Sequence, residues 1–165
     1  MEAQRFQPKG RFVVEHLDKD GNHKGTYEFP NGITDEGLNH ILETQFGGGS
    51  QEGTWYIGLI DNGSFSALNA EDTLSSHTGW SEFTNYTEAN RVEWDDDTAA
   101  SRSKTNANTA NFSINASGNV YGIFVSSNNV KSTGTTGTLW STAAFSSVVA
   151  TANGDTLKVT YTVSG

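Results

Sequence analysis

Alternating apolar and polar positions recur along the chain and predict a mainly β protein. The clearest alternation lies near the end, where every second residue of segment 157–163 is apolar. A second pair of alternating segments, 11–17 and 25–29, flanks the dipeptide Asp20-Gly21. Because Asp-Gly suits the tight turns that join antiparallel strands, this pattern predicts a β-hairpin.

Further β segments occupy most of the remaining sequence. Segment 54–61 (TWYIGLID) is apolar at most positions, which predicts a strand buried on both faces. Segment 111–127 predicts a hairpin, and apolar segments near 139–140 and 147–150 predict two more strands. This gives roughly eight strands with turns at sandwich-like spacing, so the expected fold is a single-domain β-sandwich.

One segment has helical rather than strand periodicity, and it predicts a short helix over residues 34–46. Thr34 is a suitable N-cap, acidic residues follow it in the first turn, and the glycines at 47–49 end the segment. The apolar positions at helical spacing are Ile33, Leu38, Ile41, Leu42 and Phe46. Residues 1–10 are polar and mildly basic, so we divide the chain into an N-terminal arm (1–10) and a β-sandwich domain (11–165).

The chain carries a formal net charge of −9, and this acidity narrows the choice of partner. Phosphate recognition requires clusters of basic side chains, so we expect no nucleic-acid partner. Repulsion by anionic headgroups argues against a membrane partner, and no apolar run reaches membrane-spanning length. The N-terminus lacks the apolar stretch of a secretory signal. The absence of cysteine excludes disulfides and thiol chemistry.

The stretch DTLSSHTGW (residues 72–80) brings together the residue types of a hydrolytic triad: Asp72, Ser75, Ser76 and His77. Neighbouring side chains in an extended chain point to opposite faces, and no G-x-S-x-G nucleophile elbow is present. We therefore expect no catalytic residues and no enzymatic activity. Asp, Ser and His side chains also satisfy the backbone of loops, and this is the interpretation we prefer.

In that interpretation the stretch is a structural signature. Asp72 and His77 brace a long loop, Gly79 lets the chain turn, and Trp80 anchors the following segment in the core. The acidic run 95–97 is interpreted as a solvated loop, with binding of a hard cation as the alternative. The histidines are not spaced as metal ligands, so we expect no metal and no cofactor.

The four tryptophans allow two interpretations. They are Trp55, Trp80, Trp94 and Trp140. Core and interface packing is the preferred one, because large aromatic side chains dominate both environments. A platform on which sugars stack is the other.

Three motifs follow one another along the chain: TWYIGL (54–59), SHTGW (76–80) and NGDTLKVTYTV (153–163). As a set they resemble a family of small virion-associated proteins of tailed bacteriophages and prophages, and the resemblance extends from Phe12 to Val163. It implies a β-sandwich or jelly-roll protein that decorates the outer capsid surface of the virion, after synthesis in the bacterial host cytoplasm. By analogy with other phage head proteins, the implied role is that of a non-enzymatic cement protein.

This resemblance also implies partners. A cement protein binds the major capsid protein, and it stabilises the shell because it binds only the assembled lattice. The predicted contact is the basic arm, through Arg5, Phe6, Lys9 and Arg11, which could add a strand to an exposed sheet edge. Symmetry favours a homo-oligomer, such as a trimer at local threefold positions.

Two other functions stay open. A tail-associated receptor or carbohydrate-binding module would cluster its tryptophans on one exposed face. A hydrolase would bring Asp72, either Ser75 or Ser76, and His77 together in a pocket.

Overall fold

The computed structural model describes residues 7–165, and these form a mainly β single domain, as predicted. In chain order its strands are β1 (Lys9–Leu17), β2 (His23–Ile33), β3 (Tyr56–Asp61), β4 (Glu82–Phe83), β5 (Val92–Glu93), β6 (Ser103–Thr105), β7 (Ala110–Ser113), β8 (Gly118–Ser126), β9 (Leu139–Thr151) and β10 (Thr156–Ser164). All pair antiparallel, in the order β4-β3-β8-β9-β2-β1-β10-β6, with β5 on β3 and β7 on β10.

The sheet curls into a half-barrel because β2 belongs to both of its halves. β2 pairs with β1 along most of its length, and its last residues, Gly32 and Ile33, pair with β9. The inner faces of the two halves share one core. Phe12 and Tyr161 enter it from one half, with ring centroids 4.5 Å apart, and Ile123 enters it from the other.

The predicted hairpin around Asp20-Gly21 is confirmed as β1 and β2. The carboxylate of Asp18 accepts the backbone N–H groups of Asp20 and Asn22 at 2.9 and 2.8 Å. Gly21 has a φ of 84°, which glycine adopts without strain. The turn therefore follows from local chemistry alone.

The predicted helix is also confirmed. It consists of α1 (Asp35–Leu42), which continues into a π-helical turn (Glu43–Gly47). The Thr34 hydroxyl caps it by accepting the Gly37 N–H at 3.0 Å. A Cβ at Gly37 would lie 2.5 Å from the carbonyl oxygen of Trp140, so glycine permits the close approach of α1 to β9. In the described part of the chain, no helix is long and apolar enough to cross a membrane.

Three details differ from the sequence-based expectation. The predicted hairpin over residues 111–127 is wrong, because β7 pairs with β10 whereas β8 pairs with β3 and β9. β1 begins at Lys9, so the last residues of the predicted arm and Arg11 belong to the sheet, because their backbone pairs with β10 and β2. Arg5 and Phe6 lie outside the described residues. The segments near 139–140 and 147–150 are a single strand, β9, which pairs with β8 across a register shift.

A buried ionic cluster ties β1 to the turn before β10. Asp155 Oδ2 lies 2.7 Å from His16 Nε2 and forms an ion pair with Lys24 Nζ at 2.8 Å. The same oxygen accepts the Ala152 N–H at 2.9 Å. Burial raises the pKa of Asp155, but the contacts with Lys24, Ala152 and His16 outweigh burial and lower it from 3.8 to about 2. The ionised carboxylate is thus the form that the fold stabilises.

We expect Asp155→Asn to lower the free energy of unfolding by about 2 kcal/mol at neutral pH, since it removes the charge that His16 and Lys24 face. The pKa of Asp155 is lower in the folded state than in the unfolded state. Its contribution to the free energy of unfolding is therefore complete at pH values above the unfolded-state pKa, and it is lost as the pH falls through the folded-state pKa. For wild type the full contribution is about 2.5 kcal/mol, and about 2 kcal/mol of it is lost between pH ~5 and ~2. Denaturant unfolding across that pH range measures it.

The control is Asp20→Asn on the exposed hairpin turn, which should change stability by under about 0.5 kcal/mol. If wild type and Asp155→Asn showed parallel pH profiles, the carboxylate of Asp155 would not contribute as described.

Candidate functional site

The predicted signature residues lie in a long loop, residues 62–81, that covers the outer face of the half-barrel. Leu74 and Trp80 from this loop pack with Ile60, Phe124 and Leu139 from β3, β8 and β9. These side chains form a second, smaller hydrophobic cluster on the face opposite the main core. The central strands are therefore covered on both sides, which explains why TWYIGLID is apolar at successive positions.

Asp72, His77 and Trp80 are brought together by this loop. The indole N–H of Trp80 donates to the Asp72 carboxylate at 3.0 Å, and the Asn69 N–H donates to the same oxygen at 3.0 Å. The His77 ring stacks on the Trp80 indole with centroids 3.8 Å apart, and His77 Nδ1 lies 3.1 Å from the Trp80 carbonyl oxygen. Both polar side chains therefore position the tryptophan.

Gly79 lies where the two ends of the loop cross. Its carbonyl oxygen accepts the N–H groups of Ser66 at 2.7 Å and Ala67 at 3.3 Å. A Cβ at position 79 would stand 2.2 Å from the Ala67 carbonyl oxygen, a distance that no side chain tolerates. Glycine is thus required by close backbone approach.

The triad residues of this stretch are not arranged as a triad. Among the described residues, no hydrogen bond joins His77 to Asp72, Ser75 or Ser76. The Ser75 hydroxyl instead contacts that of Thr73 at 3.2 Å.

The acidic run is divided among different partners. The carboxylate of Asp95 accepts from Asn108 at 2.6 Å, Asp96 pairs with Lys104, and Asp97 accepts the Thr98 N–H at 2.7 Å. Within residues 7–165 no group of three or more histidine and acidic side chains is placed to hold a metal ion.

Arg91 is a buried cation that the sequence patterns did not single out as a site. Its guanidinium donates to both carboxylate oxygens of Glu82 at 3.0 Å and to the carbonyls of Asn128 at 3.0 Å and Gly134 at 3.2 Å. It also lies over the Phe124 ring. Because these contacts use the guanidinium fully, Arg91 holds loop 128–134 against the sheet. Its partners lie 9, 37 and 43 positions away in sequence, with no motif or period that relates them, so no local signal reveals them.

A cleft of about 290 Å³ opens between α1 and the two halves of the curled sheet. We call it the aromatic cleft, because Trp55, Trp94 and Trp140 line it, with Val125 and Val163 beside them. Trp55, Trp94, Val125 and Trp140 come from the half that contains β3 and β8, whereas Val163 comes from β10. The cleft therefore lies at the mouth of the half-barrel, a usual place for ligand pockets.

Hydrogen bonds fix two of the three indoles. Trp94 donates to Asn106 Oδ1 at 2.9 Å and to the Tyr161 carbonyl at 3.2 Å, and Trp140 donates to the Tyr161 hydroxyl at 2.7 Å. Trp55 is half-buried, and its ring centroid lies 5.9 Å from that of Trp140. Its indole N–H has no hydrogen-bond partner among the described residues.

The polar lining of the aromatic cleft has one lysine among amide, hydroxyl and imidazole side chains. It comprises His40, Thr44, Gln45, Gln51 and Lys104. Lys104 is paired with Asp96, and the Thr44 hydroxyl donates to the His40 carbonyl at 2.8 Å. The amides of the two glutamines make no hydrogen bond to any described residue, and no described lining residue is acidic.

A neighbouring, solvent-facing side of the helical segment carries an exposed apolar row, which we call the helix stripe: Leu38, Leu42 and Phe46. These residues are four positions apart, so they lie on one face. Their exposed fractions are 37%, 54% and 84%.

We expect Gly79→Ala to destabilise the protein by about 3 kcal/mol, because the new methyl group overlaps a backbone carbonyl that cannot move freely. Gly53→Ala is the matched control, since a Cβ there meets nothing within 4 Å, and it should change stability by under about 0.5 kcal/mol. Denaturant unfolding monitored by tryptophan fluorescence measures both. Equal stability of the two variants would show that the loop does not need this close approach.

Comparisons with known proteins do not assign a function to this chain. No protein-family model matches the chain, and a comparison with curated proteins finds no similar sequence. The resemblance to virion-associated phage proteins therefore rests on the sequence motifs, and the role that it implies is a proposal.

Proposed function

We propose that this chain is a non-enzymatic structural protein of a bacteriophage virion, which decorates the outside of the assembled head and stabilises it. Beyond the sequence motifs, the observation that carries the proposal is the helix stripe. Phe46 is 84% exposed, although every other phenylalanine, tyrosine and tryptophan within 7–165 is buried in whole or in part. A row of exposed apolar side chains on a helix is typical of a surface that docks on another protein.

The helix stripe and the charges beside it indicate the chemistry of the surface that would bind it. Covering a leucine or phenylalanine side chain contributes about 1.5–3 kcal/mol, so a few such residues are enough for a stable contact. Exposed Asp35 and Glu43 flank the stripe. A complementary surface is therefore apolar with a basic rim, and we assign it to the major capsid protein. A net charge of −9 keeps copies of the chain apart in solution until they meet that surface.

The mechanism is thermodynamic linkage. A protein that binds only the assembled lattice stabilises it by the free energy of that binding, without chemistry and without a cofactor. A homo-oligomer, for instance a trimer at local threefold positions, would repeat the contact around the symmetry axis. Its place is the outer capsid surface, and its partner there is the major capsid protein.

The finer fold assignment belongs to the same proposal. We infer that the half-barrel is a jelly-roll-like β-sandwich in which β2 passes from one sheet to the other. Support comes from the shared core, to which both halves contribute, and from the pairing of β2 with β1 and β9.

We expect the purified protein to co-sediment with heads of the parent phage that lack it, and to raise the temperature at which those heads disrupt. Leu42→Glu combined with Phe46→Glu should weaken binding at least about 100-fold, because charges replace the two most exposed residues of the stripe. Val148→Glu is the matched control. Val148 is 41% exposed on β9, and this variant should bind as wild type does.

The experiment tests the decoration role separately from the assignment of the helix stripe as the contact. Failure of the wild-type protein to bind assembled heads would refute the decoration role. Unimpaired binding by the doubly substituted protein would retain that role and show that the stripe is not the contact. Circular dichroism of each variant verifies that the fold is intact.

The N-terminal arm is tested separately by deleting residues 1–6, which include Arg5 and Phe6. This deletion leaves β1 complete, because the strand begins at Lys9. We expect head binding to fall about tenfold, since the deletion removes one cation and one aromatic ring. Equal binding by the truncated protein would show that the arm does not contact the capsid.

A further inference from the structure

We infer that the aromatic cleft is a binding site for a neutral saccharide. This inference is independent of the decoration role, because it rests on the inner side of α1 and on the mouth of the half-barrel. The cleft volume of about 290 Å³ lies at the lower end of small-ligand pockets. It suits a mono- or disaccharide unit.

The indoles supply the apolar surface that a sugar ring needs. A pyranose presents a face of C–H groups, whose partial positive charge is attracted to the negative face of an aromatic ring. Trp55 and Trp140 are only half-buried, with centroids 5.9 Å apart and planes inclined by 55°. They form two walls at an angle rather than one closed stack, which leaves ring surface open to a ligand.

The surface is also pre-organised. Hydrogen bonds from Trp140 to the Tyr161 hydroxyl and from Trp94 to the Tyr161 carbonyl hold two indoles in place. The edge-on contact between His40 and Trp55, with centroids 5.5 Å apart, positions the third. A ligand that binds here orders few side chains, so little conformational entropy is lost.

The polar groups select a saccharide among possible ligands. Gln45, Gln51 and the Trp55 N–H have no hydrogen-bond partners among the described residues, and planar amides can donate to and accept from hydroxyl groups. A purely apolar ligand would cover these groups and leave them unpaired. A cationic ligand would find no carboxylate in the described lining, and an anionic one would meet a protein of net charge −9 whose cleft lysine is already paired.

The test is direct binding of neutral sugars: glucose, galactose, N-acetylglucosamine, maltose and cellobiose. Saturation-transfer NMR detects contact, and titration followed by tryptophan fluorescence gives the affinity. We expect at least one of them to saturate the protein with a Kd on the order of 1 mM. Trp55→Ala should weaken this binding at least about tenfold.

Two further variants protect the result against a folding artefact. Gln51→Ala removes an amide from the rim without touching the core and should weaken binding about threefold to tenfold. Phe46→Ala, on the outer side of the same helix, should leave the sugar affinity unchanged.

Absence of saturable binding for every sugar up to about 20 mM would overturn the inference, as would equal affinity in wild type, Trp55→Ala and Gln51→Ala. None of these results depends on whether the protein binds phage heads. The saccharide site and the decoration role therefore succeed or fail separately.

Discussion

Tyr161 is the residue on which the geometry of the half-barrel depends. Its side chain is fully buried, its ring stacks on Phe12 at 4.5 Å, and its hydroxyl accepts hydrogen bonds from Asn31 at 2.9 Å and Trp140 at 2.7 Å. One side chain on β10 thus connects β1, β2 and β9, which span the junction between the two halves of the sheet. Burial raises the pKa of Tyr161, although the hydrogen bonds to its hydroxyl lower it, and the hydroxyl remains protonated.

The same residue organises the candidate ligand site. The Tyr161 carbonyl accepts the indole N–H of Trp94, while its hydroxyl accepts that of Trp140. A contact that closes the core therefore also fixes two walls of the aromatic cleft. Close-packed interiors resist small displacements, so the core holds Tyr161 in place. Tyr161 in turn holds the two indoles at the mouth of the half-barrel.

How much the sequence could predict depends on the range of the interaction. The Asp20-Gly21 hairpin and the Thr34-capped helix are set by residues a few positions apart, and both were predicted. β9 was divided into two segments, because residues 141–144 (STAA) between them are small and partly polar and interrupt the apolar pattern, although Ser141, Thr142 and Ala143 are buried and their backbone pairs with β8. A strand continues through such a stretch when its backbone remains paired with a neighbour, and the periodicity of side chains does not record that pairing.

The side chains that build the sites meet over much longer distances in sequence. Trp55 precedes β3, Trp94 follows β5 and Trp140 lies on β9, and their indoles converge in the cleft because the fold brings these segments together. Core packing and sugar stacking were both compatible with their sequence positions. In the structure Trp94 is buried in the core, whereas Trp55 is half-exposed, and sugar stacking on Trp55 stays a proposal. In the same way, the Arg91–Glu82 pair could not be inferred, because no period or motif relates its members.

The helix α1 gives the molecule two surfaces that differ in chemistry. Gly37 brings α1 against the backbone at Trp140, which fixes the rotation of the helix about its own axis. With that rotation fixed, His40 and Ile41 face the cleft, whereas Leu42 and Phe46 face outwards. A larger residue at position 37 would displace the helix and disturb both surfaces at once. Substitutions confined to the outer positions leave two indoles of the cleft in place, because Trp94 and Trp140 are held by hydrogen bonds to Tyr161.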